Sequence, residues 1–269
     1  MNEDTIDLEQ LEHLRLGLFS ILEHTDQLLK DSELLIRKKR YSASIPLSII
    51  AIEEIGKSYF LESVIKSRKP VFDKIWDEIT KGGGAHIKKT TSLILARKLY
   101  LDNITPEQNS DVDKMMKELG MEVTDTKQIK IENMLLKATF LRLENLKHDC
   151  LYINREKNKK WINFTNRFKT YEQSAIANYL YIVALRLQTT NKFILKMPPK
   201  PFKEYSKNEI KNQKNLWKKE VKPIMKKTDS KRLSRLTDHG MLFLHNNYHP
   251  DRKRGLVTEK DDGWLELNF

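Results

Sequence analysis

The chain has 269 residues, 39% of them hydrophobic and including four Trp and ten Phe, enough for a folded core in one large or two small domains. A single cysteine, Cys150, excludes a disulfide framework, and only nine Gly and eight Pro beside long helical periodicities argue against a sheet protein and for an all-α one. Neither a signal-peptide pattern nor a span of about 20 apolar residues occurs, so a cytoplasmic location without membrane attachment is expected.

Residues 6–39 repeat apolar positions at Leu8, Leu11, Leu14, Leu18, Ile21, Leu22, Leu28, Leu29, Leu35 and Ile36, which predicts a long amphipathic helix, with a local break expected at Asp31 and Ser32. After a basic cluster, Ser42 to Leu61 predicts a second helix. Ser42 or Ser44 caps its start, Pro46 fits its first turn, and Ile45, Leu47, Ile49, Ile50, Ile52 and Ile55 cover most of its circumference. Such a helix is mostly buried, so Glu53, Glu54 and Lys57 need partners. Lys57 lies within reach of either carboxylate along the helix. Two arrangements satisfy the charges: a Glu–Lys pair at the margin of the core that holds helices in register, or a polar site between helices. Gly56 costs the helix about 1 kcal/mol, which predicts the close approach of another backbone or of a ligand.

A shorter helix follows at Val71–Ile79, a joint at Lys81–Gly84, a helix at Ala85–Leu101 carrying His86 and Lys89, and a polar surface helix at Pro106–Leu119. A strong helix is expected from Lys127 to about Cys150, the cysteine being a small core residue. The next stretch, LYINREKNKKWINF, holds two short alternating runs and predicts a hairpin or an ordered loop. Thr165–Ile194 predicts one long helix, stopped by the prolines of MPPKP. A domain boundary is expected there, dividing residues 1–195 from a basic helical C-terminal extension at 196–269. The extension carries a helix from about Tyr205 to Met225, a second from about Ser230 to Asn246, and a polar tail.

With these elements in order, RYSASIPLSIIAIEEIGKSYFL from Arg40 resembles the signature of the AbiV family of abortive-infection proteins, an Arg-Tyr-x-Ser-Ala start leading into Ala-x-Glu-Glu-x-Gly-Lys. His86-x-x-Lys89 resembles the His-x-x-Lys element of that family. LKHDCLYINREKNKKW resembles its Leu-Tyr-Val-Asp segment followed by a short insert and a Trp, here Trp161. The resemblance implies a HEPN-like helical bundle, dimerisation, and in active members a metal-independent ribonuclease with an Arg-x(4 to 6)-His motif. Arg142 and His148 in RLENLKH fit that spacing, with Asn145 between them. In this reading His148 moves a proton at the ribose 2′-OH or the leaving oxygen and Arg142 stabilises charge on the phosphate. The two lie roughly 120° apart on a helix, and a two-fold dimer would bring two such faces together. Leu143 stands where many active members carry a polar residue. In the alternative arrangement Arg142 pairs with Glu144, with the Asn145 carboxamide or with a nearby carboxylate, and His148 caps the helix end.

The resemblance also implies that Glu53, Glu54, Lys57, His86 and Lys89 share a polar centre of the bundle. No cofactor or metal is expected, because Lys57 stands where a second ligand would be needed and no Glu-x-x-His pair occurs. His239, His245 and His249 lack an acidic or Cys partner at ligand spacing, and a structural role is expected for them.

From Lys196 to Arg235 fourteen Lys and Arg stand against Glu204, Glu209, Glu220 and Asp229, which leaves this segment with +10 of the chain's +12. Lys203, Lys207, Lys211, Lys214, Lys218 and Lys222 follow spacings of three and four and predict one helical stripe able to track phosphates, or simply a solvated face. Trp217 is expected to pack this helix on the bundle. No pattern after about Pro198 resembles a family. The function implied is arrest of a phage-infected bacterium, by RNA cleavage or another block of translation. The alternative is a non-catalytic binder of a phage protein, RNA or the translation apparatus. Expected partners are a second copy of the chain, RNA or a ribosome-associated target, and a phage-encoded activator.

Overall fold

The computed structural model describes residues 7–67, 76, 143–155, 161–196, 205–228, 235–236, 238–241, 243–244, 257–259 and 265–267. Helix α1 (Leu8–Arg37) starts at Asp7, whose carboxylate accepts the Gln10 N–H at 2.8 Å. It ends in a left-handed turn at Lys39 (φ 57°), with the Arg40 N–H on the Leu35 carbonyl at 2.8 Å and the Lys39 N–H on the Ile36 carbonyl at 2.9 Å. The break expected at Asp31 and Ser32 does not occur. Ser32 is buried, and its hydroxyl lies 2.9 Å from Ser44 Oγ and 2.8 Å from Ser48 Oγ, so the polar group is satisfied by the next helix instead of by an interruption of its own.

Helix α2 (Tyr41–Ser67) begins one residue past that turn. Neither Ser42 nor Ser44 caps it: the Ser44 N–H already bonds the Arg40 carbonyl at 3.1 Å, and Pro46 sits past the first turn, where its missing N–H withholds one ladder bond. Ile45, Ile49, Ile52 and Ile55 are fully buried, since α2 packs against α1 on one side and against two later helices on others.

These are α3 (Leu143–Leu151) and α5 (Thr170–Leu195), separated by a hairpin and a short helix, α4 (Phe164–Arg167). The hairpin pairs β1 (Asn154–Arg155) with β2 (Trp161–Ile162), Asn154 opposite Ile162 and Arg155 opposite Trp161, so of the two expected forms the ladder is the one adopted. The single helix expected from Thr165 is divided at Phe168 and Lys169. Phe164 and Phe168, with ring centroids 4.9 Å apart, are both buried in the main core, and the Glu172 carboxylate accepts the Lys169 N–H at 2.7 Å to restart the helix as α5.

In the extension, α6 (Lys207–Leu216) opens on a capping box between Ser206 and Glu209. It runs through a π-turn at Trp217–Val221 into α7 (Lys222–Thr228). Pro223 accounts for the turn: it offers no N–H to the preceding ladder, and the Lys222 N–H reaches back to the Trp217 carbonyl. The wider turn places both Trp217 and Val221 in a buried cluster with Phe193 of α5. Trp217 thus packs the extension on the bundle as expected, its ring 5.2 Å from that of Phe193.

Lys196 to Glu220 at 2.7 Å, Arg186 to the Thr228 hydroxyl at 2.9 Å and Lys227 to Glu33 at 3.1 Å add polar ties. Burial alone would push the Glu33 carboxyl up, but hydrogen bonds from Arg37, Lys227 and Tyr181 outweigh it and hold the group below its ordinary value. A carboxyl depressed by folding stabilises above its unfolded pKa, and that contribution is lost as pH falls through the lower folded value. Urea-melt midpoints measured from pH 7 to pH 3 should therefore fall less steeply in Glu33→Gln, by less than about 1 kcal/mol at this partly exposed site. Equal slopes in the two proteins would remove Glu33 from the linkage.

Helical residues at 235–236, 238–241 and 243–244 return to α5, where Leu244 joins the main core. Beyond them the expected polar tail contains an antiparallel ladder, β3 (Val257–Glu259) with β4 (Leu265–Leu267), where Val and Leu at alternating positions suit paired strands. The described fold is helical apart from these two short ladders. Among the described residues no helix is long and apolar enough to cross a membrane.

Candidate functional site: the solvent face of α3

A carboxylate on a helix as enclosed as α2 is strongly penalised unless a cation meets it. For Glu53 that cation is Lys147 of α3, with Nζ 3.0 Å from Oε1 and both side chains more than 90% buried. Lys57, the partner that local spacing offers, instead bonds Glu54 at 2.6 Å in a half-buried pair. Lys57 also lines a cleft of about 270 Å³ between α1 and α2, together with His13, Leu14, Gly17, Leu61 and Trp76.

Other polar groups of the bundle are used across helices. Asn191 donates to the Ser58 hydroxyl at 2.6 Å, Gln188 donates to the Leu22 carbonyl at 3.0 Å, and Lys192 pairs with Asp26. The core around Glu53 is therefore crossed by hydrogen bonds from α1 to α2 and α5, and from α2 to α3 and α5.

The Glu53–Lys147 pair determines which way α3 faces. Leu143, Leu146 and Lys147 are buried and Cys150 is half-buried, at offsets of three and four that define one face of the helix. Asn145 and His148, three residues apart, then lie on the opposite face and are exposed. Tyr152 continues this face just beyond the helix: its N–H donates to the His148 carbonyl at 2.9 Å, and its ring centroid is 5.4 Å from that of His148 with a 32° tilt. Asp149, the next residue after His148, accepts from Arg167 of α4 at 2.9 Å. The result is an exposed imidazole, carboxamide and phenol on a helix whose rotation is pinned from below.

Burial and the Asp149 carboxylate both raise the Cys150 thiol well above its ordinary pKa, so it stays protonated and unreactive, as expected of a core residue. His239 also has a structural partner: the Tyr171 hydroxyl is 2.5 Å from its Nδ1. Beside it, burial raises the Asp238 carboxyl above its usual range while His239 acts in the opposite direction. Among the described residues no group of three His, Cys, Asp or Glu is placed to hold a metal ion.

Of the residues singled out from sequence, Glu53, Glu54, Lys57, Asn145 and His148 are placed as above, whereas Arg142, His86 and Lys89 lie outside the described residues. In the extension Lys207, Lys211 and Lys218 are exposed and Lys214 is half-buried. Sequence reasoning missed Lys147, Tyr152 and Arg167. A signal for Lys147 was present, since it falls in phase with Leu143, Leu146 and Cys150 and so on the apolar face.

A family model described as AbiV, in the HEPN group, matches residues 13–184. No curated protein and no solved structure matches the chain.

Proposed function

Because this chain belongs to the AbiV family of the HEPN group, we propose that it is a phage-defence protein of the abortive-infection type that arrests the infected cell by cutting RNA. His148 is the general acid or base and Arg142 the phosphate clamp, in a homodimer whose two α3 faces form one composite groove. The ribose 2′-oxygen attacks the adjacent phosphorus as the bond to the 5′-oxygen breaks, leaving a 2′,3′-cyclic phosphate and a 5′-hydroxyl. An imidazole takes the 2′-OH proton or supplies one to the departing oxygen, and a guanidinium offsets charge on the phosphoryl oxygens.

The observation that carries this reading is the exposure of His148 and Asn145 together, on the face of α3 opposite the buried Glu53–Lys147 pair. The Glu-Glu-x-Gly-Lys motif supplies Glu53 as a positioning residue, not as a group that meets RNA. Purified protein is expected to cleave single-stranded RNA without added metal, and His148→Ala and Arg142→Ala to lower the rate about 10²- to 10⁴-fold. The exposed imidazole makes its removal structurally mild, so the His148→Ala melt should match wild type. RNA left intact by the wild-type protein, or cut equally by both variants, overturns the assignment.

A second reading rests on the exposed lysines of α6, the π-turn and α7, Lys207, Lys211, Lys218 and Lys222. A non-catalytic protein would use them to hold RNA or a partner from the phage or the translation machinery, with strongly salt-dependent affinity. It predicts a stable complex recovered from infected cells with its RNA uncut.

A further inference from the structure

We propose that Tyr152 is a stacking platform for an unpaired RNA base, placed so that the nucleotide it holds meets His148. This deepens the ribonuclease reading and rests on it for the role of the imidazole.

Three consecutive large apolar residues close α3 in the open: Leu151 is 53%, Tyr152 56% and Ile153 66% exposed. They lie where the buried face of α3 has ended, so packing among the described residues does not account for them. The Tyr152 ring rests against the imidazole of His148, 5.4 Å between centroids, while more than half of the residue remains open to solvent. Asn145, His148 and Tyr152 thus form one continuous exposed face with a carboxamide, a proton carrier and an aromatic surface in sequence.

Single-stranded RNA presents what this face lacks. An unstacked base has two apolar π-surfaces and loses little by moving from water onto a tyrosine. Its ribose is one bond away, so a base on Tyr152 carries its 2′-OH to the neighbouring imidazole. Arg167, held at 2.9 Å by the residue after His148, adds a guanidinium to this side of the bundle. Leu151 and Ile153 flank the platform as apolar shoulders. A duplex would not fit the same description, because its bases are already stacked and paired.

The test uses the full chain and a single-stranded oligonucleotide that is 2′-O-methylated throughout and carries one 2-aminopurine. This probe cannot undergo attack by a 2′-OH, so it reports stacking independently of cleavage. Binding by wild type should quench the fluorophore. Tyr152→Phe should keep the quench, and Tyr152→Ala should lose it with a Kd raised roughly 5- to 150-fold. An unquenched or unbound probe with wild type overturns the proposal. So does a Tyr152→Ala protein that binds and quenches like wild type, or one whose only change is a shift from dimer to monomer, which would assign the apolar residues to a second copy. If the quench behaves as expected but unmodified RNA is never cut, the platform stands and the nuclease assignment fails.

Discussion

Glu53→Ala is expected to destabilise the protein by about 3–5 kcal/mol, the range for removing one partner of a buried ion pair. For a chain of this size that is a fall in Tm of roughly 6–20 °C. The cost does not come from losing an attraction alone. Glu53 and Lys147 lie on helices 94 positions apart in sequence, and both side chains are shielded from water, so deleting the carboxylate leaves an ammonium in a low-dielectric setting without the anion 3.0 Å away. Lys147→Met should cost a similar amount, because the buried carboxylate then loses its ammonium. The double variant Glu53→Leu with Lys147→Met should recover much of the loss, since paired replacement by apolar groups of similar size is often neutral. Thermal melts of the four proteins close the cycle. Losses that simply add would mean that the two residues act independently.

This cycle also separates stability from positioning. With the pair replaced by apolar residues, α3 keeps a buried face but loses the directional bond that sets its rotation. RNA cleavage by the double variant should then fall even where its melt approaches wild type. Cleavage that recovers in step with Tm would show that Glu53 matters for stability only.

Gly240→Ala is expected to release the C-terminal helical segment from α5. An added Cβ would stand 2.3 Å from the Ala175 carbonyl oxygen and 2.7 Å from the Tyr179 Cβ. The first contact is with backbone, so no rotamer change relieves it. Overpacking of this kind costs about 1–3 kcal/mol, against a gain of about 1 kcal/mol in helix propensity, so the steric term should win. Lost with the docking are the Tyr171–His239 hydrogen bond and the burial of Leu244. Hydrogen exchange should rise across residues 235–244 and stay near wild type in α1 and α2. Unchanged exchange in the segment would show that the two backbones do not approach this closely.

The long apolar periodicities made α1, α2 and α5 legible in sequence because each helix repeats its own environment every three or four residues. The failures have local explanations that sequence spacing does not contain. Ser32 reads as a breaker until Ser44 and Ser48 are found opposite it. Phe168 reads as one more helical residue until the core claims it beside Phe164. The stripe of six lysines expected from Lys203 to Lys222 assumes an unbroken α-helix, whereas Pro223 imposes a π-turn and sends Trp217 and Val221 inward together.

The candidate site divides in the same way. Sequence alone determined that α2 is an enclosed helix with charges that require partners, that its Glu-Glu-x-Gly-Lys run together with two later motifs in order resembles the AbiV family, and that His148 lies on a helix near its end. Only the tertiary structure decided that Glu53 is matched by Lys147 and Glu54 by Lys57, and that His148 consequently faces solvent with Asn145 and Tyr152. Helical periodicity is a property of neighbours along the chain. The choice of partner for a buried charge depends on which distant side chain loses its water at the same place, and that is established only when the helices pack.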